Sequence, residues 1–341
     1  MLNINARFLA QRVTGVQRYA HEIVKRFPGD EYLLRRPPEK YTNRIIGNLW
    51  EQLVLPKELN AGDLLWSPGN VGPLSVENQV ITIHDVATFE YPEWFSGAFS
   101  RWYRWLLPRL VQRVQHIIVV SEFTKSRLIK LLSVSDRKIS VIPNGVDARY
   151  KQLPLSDVTR VRHKYNLPEL YVLYVGSLEP RKNIKRLLKA WNKVYKSVAP
   201  VQMVVVGTTG DVFRKESLSD ITPGVEFIGY VDEVDLPGLY NGAEVFIYPS
   251  LYEGFGLPVL EAMACGTPVI ASKREPLSSI AGDSAMLVDP LSVDEMSETL
   301  RALLGDGNAR RELSAKGRVQ AACFDWEKSA KDTWSLLQRL S

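Results

Sequence analysis

The sequence predicts an α/β protein built from two doubly wound parallel-sheet domains. Three observations support this fold class. The chain is 341 residues long, short apolar segments alternate with amphipathic ones, and the alternation restarts after a turn-rich stretch. Apolar strands separated by helices are typical of parallel sheets covered on both faces. A chain of this length is also long enough for two domains, each with its own hydrophobic core.

Nine segments are strand candidates because each is a short run rich in Val, Ile, Leu, Tyr or Phe. They span residues 64–68, 80–85, 116–121, 139–145, 171–177, 203–207, 225–231, 245–250 and 268–272. Amphipathic stretches such as Asn183–Lys196 and Ser292–Leu304 lie between the later strands and predict covering helices. In such sheets ligands bind at the carboxyl ends of the strands, so the loops after strands are expected to carry the chemistry.

The domain boundary is predicted within residues 142–155, IPNGVDARYKQLPL. This stretch contains turn residues and prolines, and a new strand–helix series begins at Tyr171. We therefore expect a first domain over residues 1–147 and a second over 148–323. Residues 324–341 are expected to form a C-terminal helix that packs back on the first domain.

Composition is that of a soluble globular protein, with 45% hydrophobic residues, 24% charged residues and a mean hydropathy of −0.12. No run approaches the ~18 apolar residues of a membrane span, and the N-terminal segment has no apolar stretch of secretory length. A cytoplasmic protein is therefore expected. Cys265 and Cys323 lie far apart, and the four histidines show no ligand spacing, so no zinc site is predicted.

Charge is unevenly distributed along the chain. Residues 1–147 carry 19 basic against 14 acidic side chains, whereas the remainder has 24 of each. A basic first domain suits an anionic partner such as nucleic acid, an anionic membrane or a phosphate-bearing acceptor. An ordinary solvated surface explains so small an excess equally well.

Residues 250–272, SLYEGFGLPVLEAMACGTPVIAS, form the sharpest motif. A strand ends at residue 250, a glycine-rich turn follows, and a helix is predicted to begin near Leu257-Pro258, since proline in a first helical turn gives up no needed hydrogen bond. Gly254 and Gly256 let the backbone pass close to a ligand. The helix amino terminus offers free N–H groups to phosphate oxygens, so this segment predicts an anion-binding turn.

Two carboxylates eight positions apart flank this turn, Glu253 on the loop and Glu261 on the predicted helix. Ionised carboxylates only accept hydrogen bonds, which suits sugar and ribose hydroxyls. The alternative is that both merely stabilise a helix amino terminus, which favours negative charge. The glycine-rich turn between them favours the ligand-binding interpretation.

The segment Glu253-Gly-Phe-Gly-Leu-Pro-x-x-Glu261 resembles the E-x7-E motif of the retaining glycosyltransferases of family four, also called group 1. That family has the GT-B fold, in which two Rossmann-like domains face a cleft, and the resemblance extends over nearly the whole chain. It implies that Glu253 binds the donor hexose and acts in catalysis, whereas Glu261 binds the nucleotide ribose. Residues between them are then expected to contact the donor: Gly254, Phe255, Gly256 and Leu257.

Residues 174–187, YVGSLEPRKNIKRL, form a second motif. Adjacent cations after a strand suit a pyrophosphate, because Arg181 can bind it bidentately beside Lys182. An exposed basic turn is the alternative. Asn183 is a candidate cap for the following helix. The resemblance places phosphate-binding Arg and Lys in this loop, where Gly176 and Ser177 are also expected to contact the donor. Many relatives carry a further Arg where this chain has Ser177, so the role falls on Arg181 and Lys182.

The resemblance also implies roles for residues that carry little signal of their own. The loop after residues 225–231 is expected to pair with the base through the backbone of Tyr230 and Val231, which leaves the base undetermined. Thr14 and Gly15 open a helical segment that lacks a G-x-G-x-x-G fingerprint. In the family this glycine loop approaches the donor phosphate and shapes the acceptor site.

Two further strand ends in the first domain match positions that line the family's cleft. His84 and Asp85 follow the strand at 80–85, and the family has a catalytic-site histidine there, near the transferred sugar. Without the resemblance, a lone histidine at a strand end is more often structural. Ser121 begins the strand-to-helix turn after the next strand and, like Asp85, is expected on the acceptor side.

Residues 94–110, WFSGAFSRWYRWLLPRL, combine six aromatic side chains with Arg101, Arg104 and Arg109. Basic aromatic helices can rest at a membrane interface. A core helix with snorkelling arginines is an equally good interpretation. The aromatic residues are Trp94, Phe95, Phe99, Trp102, Tyr103 and Trp105.

The sequence contains no Asp-x-Asp pair of the kind that holds a metal in other sugar transferases. We therefore expect a metal-independent hexosyltransferase without a cofactor, in which cations and helix amides meet the leaving-group charge. The resemblance is to bacterial polysaccharide and O-antigen mannosyl- and rhamnosyltransferases, which makes GDP-mannose the leading donor. A glycan or lipid-linked glycan is the expected acceptor, in lipopolysaccharide or related polysaccharide synthesis. No nucleic acid is expected as a partner.

Two other classes stay open. One is a GT-B epimerase or phosphorylase, although a phosphorylase needs a pyridoxal lysine that no motif identifies. The other is a non-catalytic nucleotide-sugar-binding subunit, because intact motifs report binding more directly than turnover. A lipid-linked acceptor also implies peripheral contact with the inner face of an anionic membrane.

Overall fold

A computed structural model describes residues 1–11, 14–29, 31–41, 44–208 and 223–341. The chain forms two compact units. The first comprises Met1–Pro92, Gly97–Gly145 and Asp325–Ser341, and the second comprises Glu93–Ser96 and Val146–Phe324. Each unit is built around one six-stranded sheet in which every pair of neighbouring strands is parallel.

The first sheet has the strand order β2-β1-β3-β4-β5-β6. Its strands are β1 Leu2–Asn5, β2 Tyr32–Arg35, β3 Leu64–Ser67, β4 Gln79–Ile83, β5 His116–Val119 and β6 Ile139–Val141. Its α-helices are α1 Gly15–Val24, α2 Arg44–Leu49, α3 Ala87–Glu90, α4 Gly97–Arg113, α5 Glu122–Leu132 and the C-terminal α13 Trp326–Leu340. A π-helical turn, Trp50–Val54, follows α2, and short 3-10 turns connect other elements.

The second sheet has the strand order β12-β11-β10-β7-β8-β9. Its strands are β7 Tyr171–Val175, β8 Gln202–Val206, β9 Val225–Gly229, β10 Val245–Tyr248, β11 Val269–Ser272 and β12 Met286–Val288. Its α-helices are α6 Leu155–Lys164, α7 Ile184–Val194, α8 Leu236–Gly242, α9 Leu257–Ala264, α10 Leu277–Ala281, α11 Val293–Gly305 and α12 Gly307–Ala321.

The predicted α/β class with two doubly wound parallel sheets is confirmed. All nine strand candidates contain a strand, and the helices predicted around 183–196 and 292–304 are α7 and α11. Three strands were not predicted: β1, β2 and β12. Both β2 and β12 are sheet edges and only partly buried, and their apolar runs are short, Tyr-Leu-Leu in β2 and Met-Leu-Val in β12.

The cores follow from the apolar strands. All five residues of β4 are buried, and Leu106, Leu107 and Leu110 of α4 pack in the cluster beside them. Burying such a side chain contributes about 1.5–3 kcal/mol. The C-terminal helix α13 belongs to this first unit, where Trp326 contacts the ring of Tyr19.

Helix α4 contains most of the aromatic stretch and divides it between two environments. Tyr103 is buried, and Phe99 and Trp102 pack partly against the core. Trp105, by contrast, is 46% exposed and stacks on Trp102 with a centroid separation of 5.4 Å. One side of the helix is therefore core, and the other presents Trp105 to solvent. Its exposed cations are Arg101, Arg104, Arg109 and Arg113.

No helix in the described part of the chain has the length and apolar character that a membrane crossing requires.

Candidate functional site

The strand order of the second sheet reverses between β7 and β10, which are paired neighbours. Ligands of doubly wound sheets bind outside the carboxyl ends of the strands at such a reversal. The two loops that leave these strands are 176–183 and 249–256. They carry the cation motif and the first carboxylate of the E-x7-E motif, so the topology brings the two sequence motifs to one edge of the sheet.

Glu253 lies in the loop after β10 and is buried. Its Oε1 accepts hydrogen bonds from Lys182 Nζ and from Ser250 Oγ, each at 2.6 Å. Arg181 Nη1 lies 4.0 Å from Oε2. The predicted cations and the predicted carboxylate thus meet in one cluster, although 71 positions separate Lys182 from Glu253.

Burial raises the pKa of Glu253, but the charges of Lys182 and Arg181, with the hydrogen bonds from Lys182 and Ser250, outweigh it and hold the pKa below its usual value. Burial lowers the pKa of Lys182, and the charge of Glu253 opposes this without overcoming it. An ionised Glu253 is therefore available at neutral pH to accept hydroxyl hydrogen bonds.

Lys182 is fixed by a second oxygen. Its Nζ donates to Tyr248 Oη at 2.6 Å and lies 5.1 Å from the centroid of the same ring. Tyr248 is the last residue of β10. In the sequence it looks like an ordinary aromatic residue of a strand, so it was not among the predicted site residues. The only local signal is its position at the carboxyl end of a strand, one residue before the predicted loop.

Arg181 belongs to a 3-10 turn, Pro180–Lys182. Its Nε donates to Oε1 of Glu179, a side chain with no exposed surface. Its carbonyl accepts from the backbone N–H of Leu251 at 2.7 Å, and the Ser250 hydroxyl, whose one hydrogen is shared with Glu253, lies 3.0 Å from the same carbonyl oxygen. These bonds tie the two loops together, so the cations and Glu253 hold a fixed mutual position.

Asn183 precedes α7 but does not cap it with its side chain, so that expectation was wrong. The residue adopts a left-handed conformation with φ +63°. Its amide donates instead to the carbonyls of Pro249 at 3.0 Å and Pro290 at 2.6 Å. The side chain therefore connects the loops after β7 and β10 rather than closing the helix end.

Two glycines let the loops after strands approach their neighbours closely. A Cβ on Gly207, which has φ +143°, would lie 1.8 Å from the carbonyl oxygen of Gly176. On Gly256, with φ +122°, it would lie 2.3 Å from Leu277 Cδ2. Only glycine fits the first position without movement of the backbone. Gly207 follows β8 and was not selected from the sequence.

Glu261 lies on α9, as predicted, and is buried. Its Oε2 accepts from Tyr240 Oη at 3.0 Å. Burial, followed by the charge of Glu261, raises the pKa of Tyr240 well above its usual value, so this phenol keeps its proton and donates. The two carboxylates of the E-x7-E motif thus have different partners: cations at Glu253 and a phenol at Glu261.

The other predicted donor residues lie in the same loops. Gly254, Phe255 and Gly256 are buried between β10 and α9, and Phe255 packs edge-on against Phe324 with a centroid separation of 5.7 Å. Leu257 and Ser177 are half-buried, and Leu257 is the first residue of α9 as predicted. Beyond β9, Tyr230 is 58% exposed and Val231 is buried.

In the first unit, His84 lies in the loop after β4 and is buried. Its Nε2 is 2.9 Å from the carbonyl oxygen of Pro68. A carbonyl only accepts, so Nε2 carries the hydrogen and Nδ1 of the neutral ring is an acceptor. Burial lowers the pKa of His84, against the hydrogen bond to Pro68 and the charge of Asp85. The ring is therefore neutral at pH 7.

The predicted Ser121 meets the His84 loop through one intermediate. Its Oγ caps α5 by accepting from the backbone N–H of Thr124 at 3.1 Å. Thr124 Oγ1 in turn donates to the His84 carbonyl at 3.2 Å. Asp85 accepts the N–H of Ala87 and so shapes the start of α3.

Thr14 and Gly15 are exposed at the start of α1. The Gln17 side chain accepts from the Thr14 N–H at 3.2 Å. Apart from its chain neighbours and the backbone of α1, no described residue has an atom within 4 Å of a Cβ built on Gly15. The described residues therefore leave room beside this helix amino terminus, which suits approach of a ligand.

The described residues contain no group of three or more His, Cys, Asp or Glu side chains that could hold a metal ion. Positive charge at the second unit's candidate site comes from Arg181 and Lys182 instead.

Both units match known protein families. Residues 157–320 match the family Glycosyl transferases group 1, and residues 66–150 match Glycosyltransferase Family 4. The chain is 34% identical to O-antigen chain mannosyltransferase B of Escherichia coli, over 76% of this chain and 70% of that protein. It is 33% identical to O-antigen chain mannosyltransferase RfbU of Salmonella typhimurium, over 63% of this chain and 58% of that protein.

A solved structure, Anabaena Alr3699/HepE in complex with UDP, superimposes with a TM-score of 0.72 at 18% identity, over 99% of each chain. Two parallel doubly wound sheets, with cationic and carboxylate-bearing loops at the strand reversal of the second, define a glycosyltransferase of the GT-B fold. The chain belongs to the glycosyltransferase group 1 family, also called family 4. The predicted family resemblance is confirmed.

Proposed function

We propose that this protein transfers mannose from GDP-mannose to a glycan or lipid-linked glycan acceptor, with retention of the anomeric configuration, in the synthesis of a bacterial surface polysaccharide. The observation that carries the proposal is the buried cluster in which Lys182 and Arg181 meet Glu253. One side of it presents cations that suit a diphosphate leaving group. The other is an ionised carboxylate that suits the hydroxyls of the transferred hexose.

The two units are assigned different roles. Donor binding falls to the second unit, with pyrophosphate at Arg181 and Lys182 and ribose at Glu261. Acceptor binding falls to the first, along Thr14, Gly15, Asp85 and Ser121, with His84 near the transferred sugar. A neutral His84 with Nδ1 as acceptor suits a sugar hydroxyl donor rather than general-acid catalysis.

Departure of the nucleoside diphosphate develops negative charge on the β-phosphate. Preorganised cations and the N–H groups at the start of α9 are suited to stabilise that charge. We propose that the acceptor hydroxyl enters on the face from which the diphosphate leaves, and that a leaving phosphate oxygen takes up its proton. The Glu253 carboxylate holds the hexose in position during this step and forms no bond to it.

Mannose as the transferred sugar is supported by the names of the two O-antigen relatives. The UDP bound to Alr3699/HepE makes UDP-sugars the main competing donors. A thermal-shift panel of GDP-, UDP-, ADP- and dTDP-sugars tests the choice, because a ligand at 100 times its Kd stabilises a fold by roughly 2.7 kcal/mol. Stabilisation by GDP-mannose alone supports the proposal. Stabilisation by a UDP-sugar alone would show that the donor is a UDP-sugar instead.

Turnover is tested by following nucleoside diphosphate release from GDP-mannose with and without a lipid-linked glycan acceptor. Release that depends on acceptor is expected of a transferase. Tight donor binding without any release would favour the alternative of a non-catalytic nucleotide-sugar-binding subunit.

Metal independence is expected from the same charge arrangement and from the missing Asp-x-Asp. Activity should survive EDTA within about twofold, because Arg181, Lys182 and the α9 amides supply the positive charge. The measurement is the rate with EDTA, and then with added manganese or magnesium. Full loss with EDTA that either metal restores would overturn the charge-compensation mechanism.

Peripheral binding to an anionic membrane is proposed for the first unit. It is supported by α4, whose solvent side carries Arg101, Arg104 and Arg109 around an exposed Trp105. Such a surface combines an aromatic residue suited to the interface with cations suited to anionic headgroups.

A further inference from the structure

Glu179 is a fully buried carboxylate for which the motifs assign no task. It immediately precedes the turn that carries Arg181 and Lys182, and none of its surface is exposed. Its Oε1 accepts from Arg181 Nε, whereas its Oε2 is buried and without a hydrogen-bond partner in the described part of the chain. A buried carboxylate with one unsatisfied oxygen is costly, so a fold that keeps it calls for an explanation.

Stability alone is a weak explanation. A buried ion pair can often be replaced by apolar side chains of similar volume without loss of stability. Here the pair sits under the loop that binds the donor phosphates, and its arginine partner is one of that loop's two cations. The Arg181 side chain keeps 17% of its surface exposed, while Glu179 keeps none. The carboxylate is thus the buried member of the pair, and the arginine is the member that reaches the surface.

Geometry indicates what the pair does. The hydrogen bond is made by Nε, so it fixes the plane of the guanidinium. The terminal nitrogens are the atoms that form a two-pronged contact with phosphate oxygens. One of them, Nη1, lies 4.0 Å from Glu253 Oε2, on the side of the carboxylate assigned to the hexose.

We propose that Glu179 is a positioning residue that holds the Arg181 guanidinium in its phosphate-binding orientation and so sets the preference for a nucleoside diphosphate. This inference rests on the proposed function, because it requires the donor pyrophosphate to bind at Arg181. Glu179 itself touches no substrate and acts through Arg181.

The test is a double-mutant cycle of Glu179→Gln and Arg181→Ala. Calorimetry measures the affinity for GDP, GMP and guanosine in wild type, both single variants and the double variant, with UDP, UMP and uridine in parallel. Glu179→Gln is expected to weaken diphosphate binding about tenfold or more, with nucleoside binding unchanged. In the Arg181→Ala background, Glu179→Gln should have no further effect.

A matched control is Glu244→Gln. Glu244 pairs with Arg310 at 3.3 Å in the same unit, so the variant also removes an arginine-paired carboxylate. It should leave diphosphate binding at the wild-type level. Additive effects of Glu179→Gln and Arg181→Ala, or equal losses for diphosphate and nucleoside, would overturn the positioning role.

Two outcomes distinguish this inference from the proposed function. If the wild type binds neither GDP nor UDP, the proposed function fails and the inference fails with it. If the wild type binds a diphosphate and Glu179→Gln binds it equally well, only the inference fails. Should Glu179→Gln not fold, Glu179→Asp serves, since it keeps the charge and withdraws it from Nε. If Glu179→Asp prefers a diphosphate over a nucleoside as strongly as the wild type does, the proposal is also overturned.

Discussion

At the scale of single residues, the central group is the Lys182 ammonium, which Glu253 and Tyr248 share at 2.6 Å each. A pyrophosphate that binds Lys182 interacts with the same positive charge that offsets the negative charge of the Glu253 carboxylate. The Glu253 carboxylate then has more capacity to accept hydroxyl hydrogen bonds from a hexose. The ion pair thereby couples the phosphate half of the donor to its sugar half, and the two halves are expected to bind cooperatively.

The different partners of the two carboxylates predict different kinetic consequences. Glu253→Gln should lower turnover on the order of 10²–10³-fold, with the affinity for GDP changed little, because Glu253 is assigned to the hexose. Glu261→Gln should instead weaken GDP binding about tenfold, since it is assigned to the ribose. Steady-state rates and calorimetric affinities for both variants are the measurement.

The melting temperature is the control for both substitutions, because each removes a buried charge. Equal effects of the two variants on GDP affinity would refute this division of labour, and so would unchanged turnover in Glu253→Gln.

The lowered pKa of Lys182 predicts a pH dependence of diphosphate binding. An ammonium is charged below its pKa and loses its charge as the pH rises through it. Because burial lowers the pKa of Lys182 from 10.5, its charge is lost at a lower pH than that of an exposed lysine. The affinity for GDP relative to that for guanosine should therefore fall on the alkaline side before pH 10.5, since ionisation of the base affects both ligands alike.

Calorimetric titrations between about pH 7 and 10 test this, with Lys182→Ala as the control. In the variant, the ratio of GDP affinity to guanosine affinity is expected to be independent of pH over that range. A wild-type ratio that is equally flat would show that Lys182 does not supply charge to the diphosphate.

At the scale of elements, the strand-end loops are positioned by backbone contacts that only glycine permits. Gly207 is the sharper case, since its φ is +143° and an added Cβ would lie 1.8 Å from the Gly176 carbonyl oxygen. Gly15 is the opposite case, with no described atom within 4 Å of an added Cβ apart from those of its chain neighbours and the backbone of α1. Gly207 is therefore expected to be required for the fold, and Gly15 for the approach of a substrate.

Alanine substitutions at these glycines are expected to act on different properties. Gly207→Ala should lower the free energy of unfolding by about 2–4 kcal/mol, through backbone strain and the clash with Gly176. Gly15→Ala should leave that free energy within about 1 kcal/mol of wild type, because alanine suits a helix start as well as glycine does.

Turnover is the second measurement for this pair. If donor phosphate or acceptor approaches α1 closely, Gly15→Ala should reduce turnover at least tenfold in a fully folded protein. Unchanged activity in Gly15→Ala would remove Gly15 from the substrate site, and unchanged stability in Gly207→Ala would contradict the backbone argument.

The sequence predicts strands well where an apolar run is long enough to stand out. Strands β3 to β11 were all predicted, including the edge strands β6 and β9. Strand β1 was missed because two of its four residues, Asn3 and Asn5, are buried asparagines. Asn5 donates to Glu51 at 2.7 Å, a partner 46 positions away that no local pattern reveals. Strand β12 is apolar, but it is only three residues long and was missed.

The same limit applies to the candidate site. Arg181, Lys182 and Glu253 were predicted because each lies in a recognisable loop after a strand. Tyr248 and Glu179 were not, because their significance comes from partners that only the folded loops bring close. Tyr248 reads as one more strand aromatic, and Glu179 reads as a surface acid, although the structure buries it completely.

At the scale of the whole molecule, positive charge and exposed aromatic surface coincide on one helix of the first unit. Arg109 lies over the Trp105 ring at 4.9 Å and donates to the Trp105 carbonyl at 2.6 Å. The buried side of α4 is occupied by core residues and is not available for other contacts. The core interpretation of this stretch therefore holds for one side of the helix, and membrane contact is a hypothesis about the other side.

Vesicle binding tests the exposed side of α4. Each cation near an anionic surface contributes roughly 1 kcal/mol and is screened by salt, and an aromatic side chain at the interface adds to this. The protein is expected to sediment with anionic but not with neutral vesicles, and less so at high salt. A Trp105→Ala/Arg104→Ala double variant should bind several-fold more weakly with an unchanged melting temperature, because both side chains are exposed.

The control for this variant is Arg301→Ala/Arg311→Ala, which removes two exposed cations from helices of the second unit. If attraction were due to net charge alone, this control would weaken vesicle binding as much as the α4 variant does. If α4 is the contact surface, the control should bind like wild type. Because the buried side of α4 keeps the helix folded in both variants, a fall in melting temperature for Trp105→Ala/Arg104→Ala would mean that these side chains serve the core. Absence of binding to anionic vesicles at low salt would leave α4 as a structural helix only.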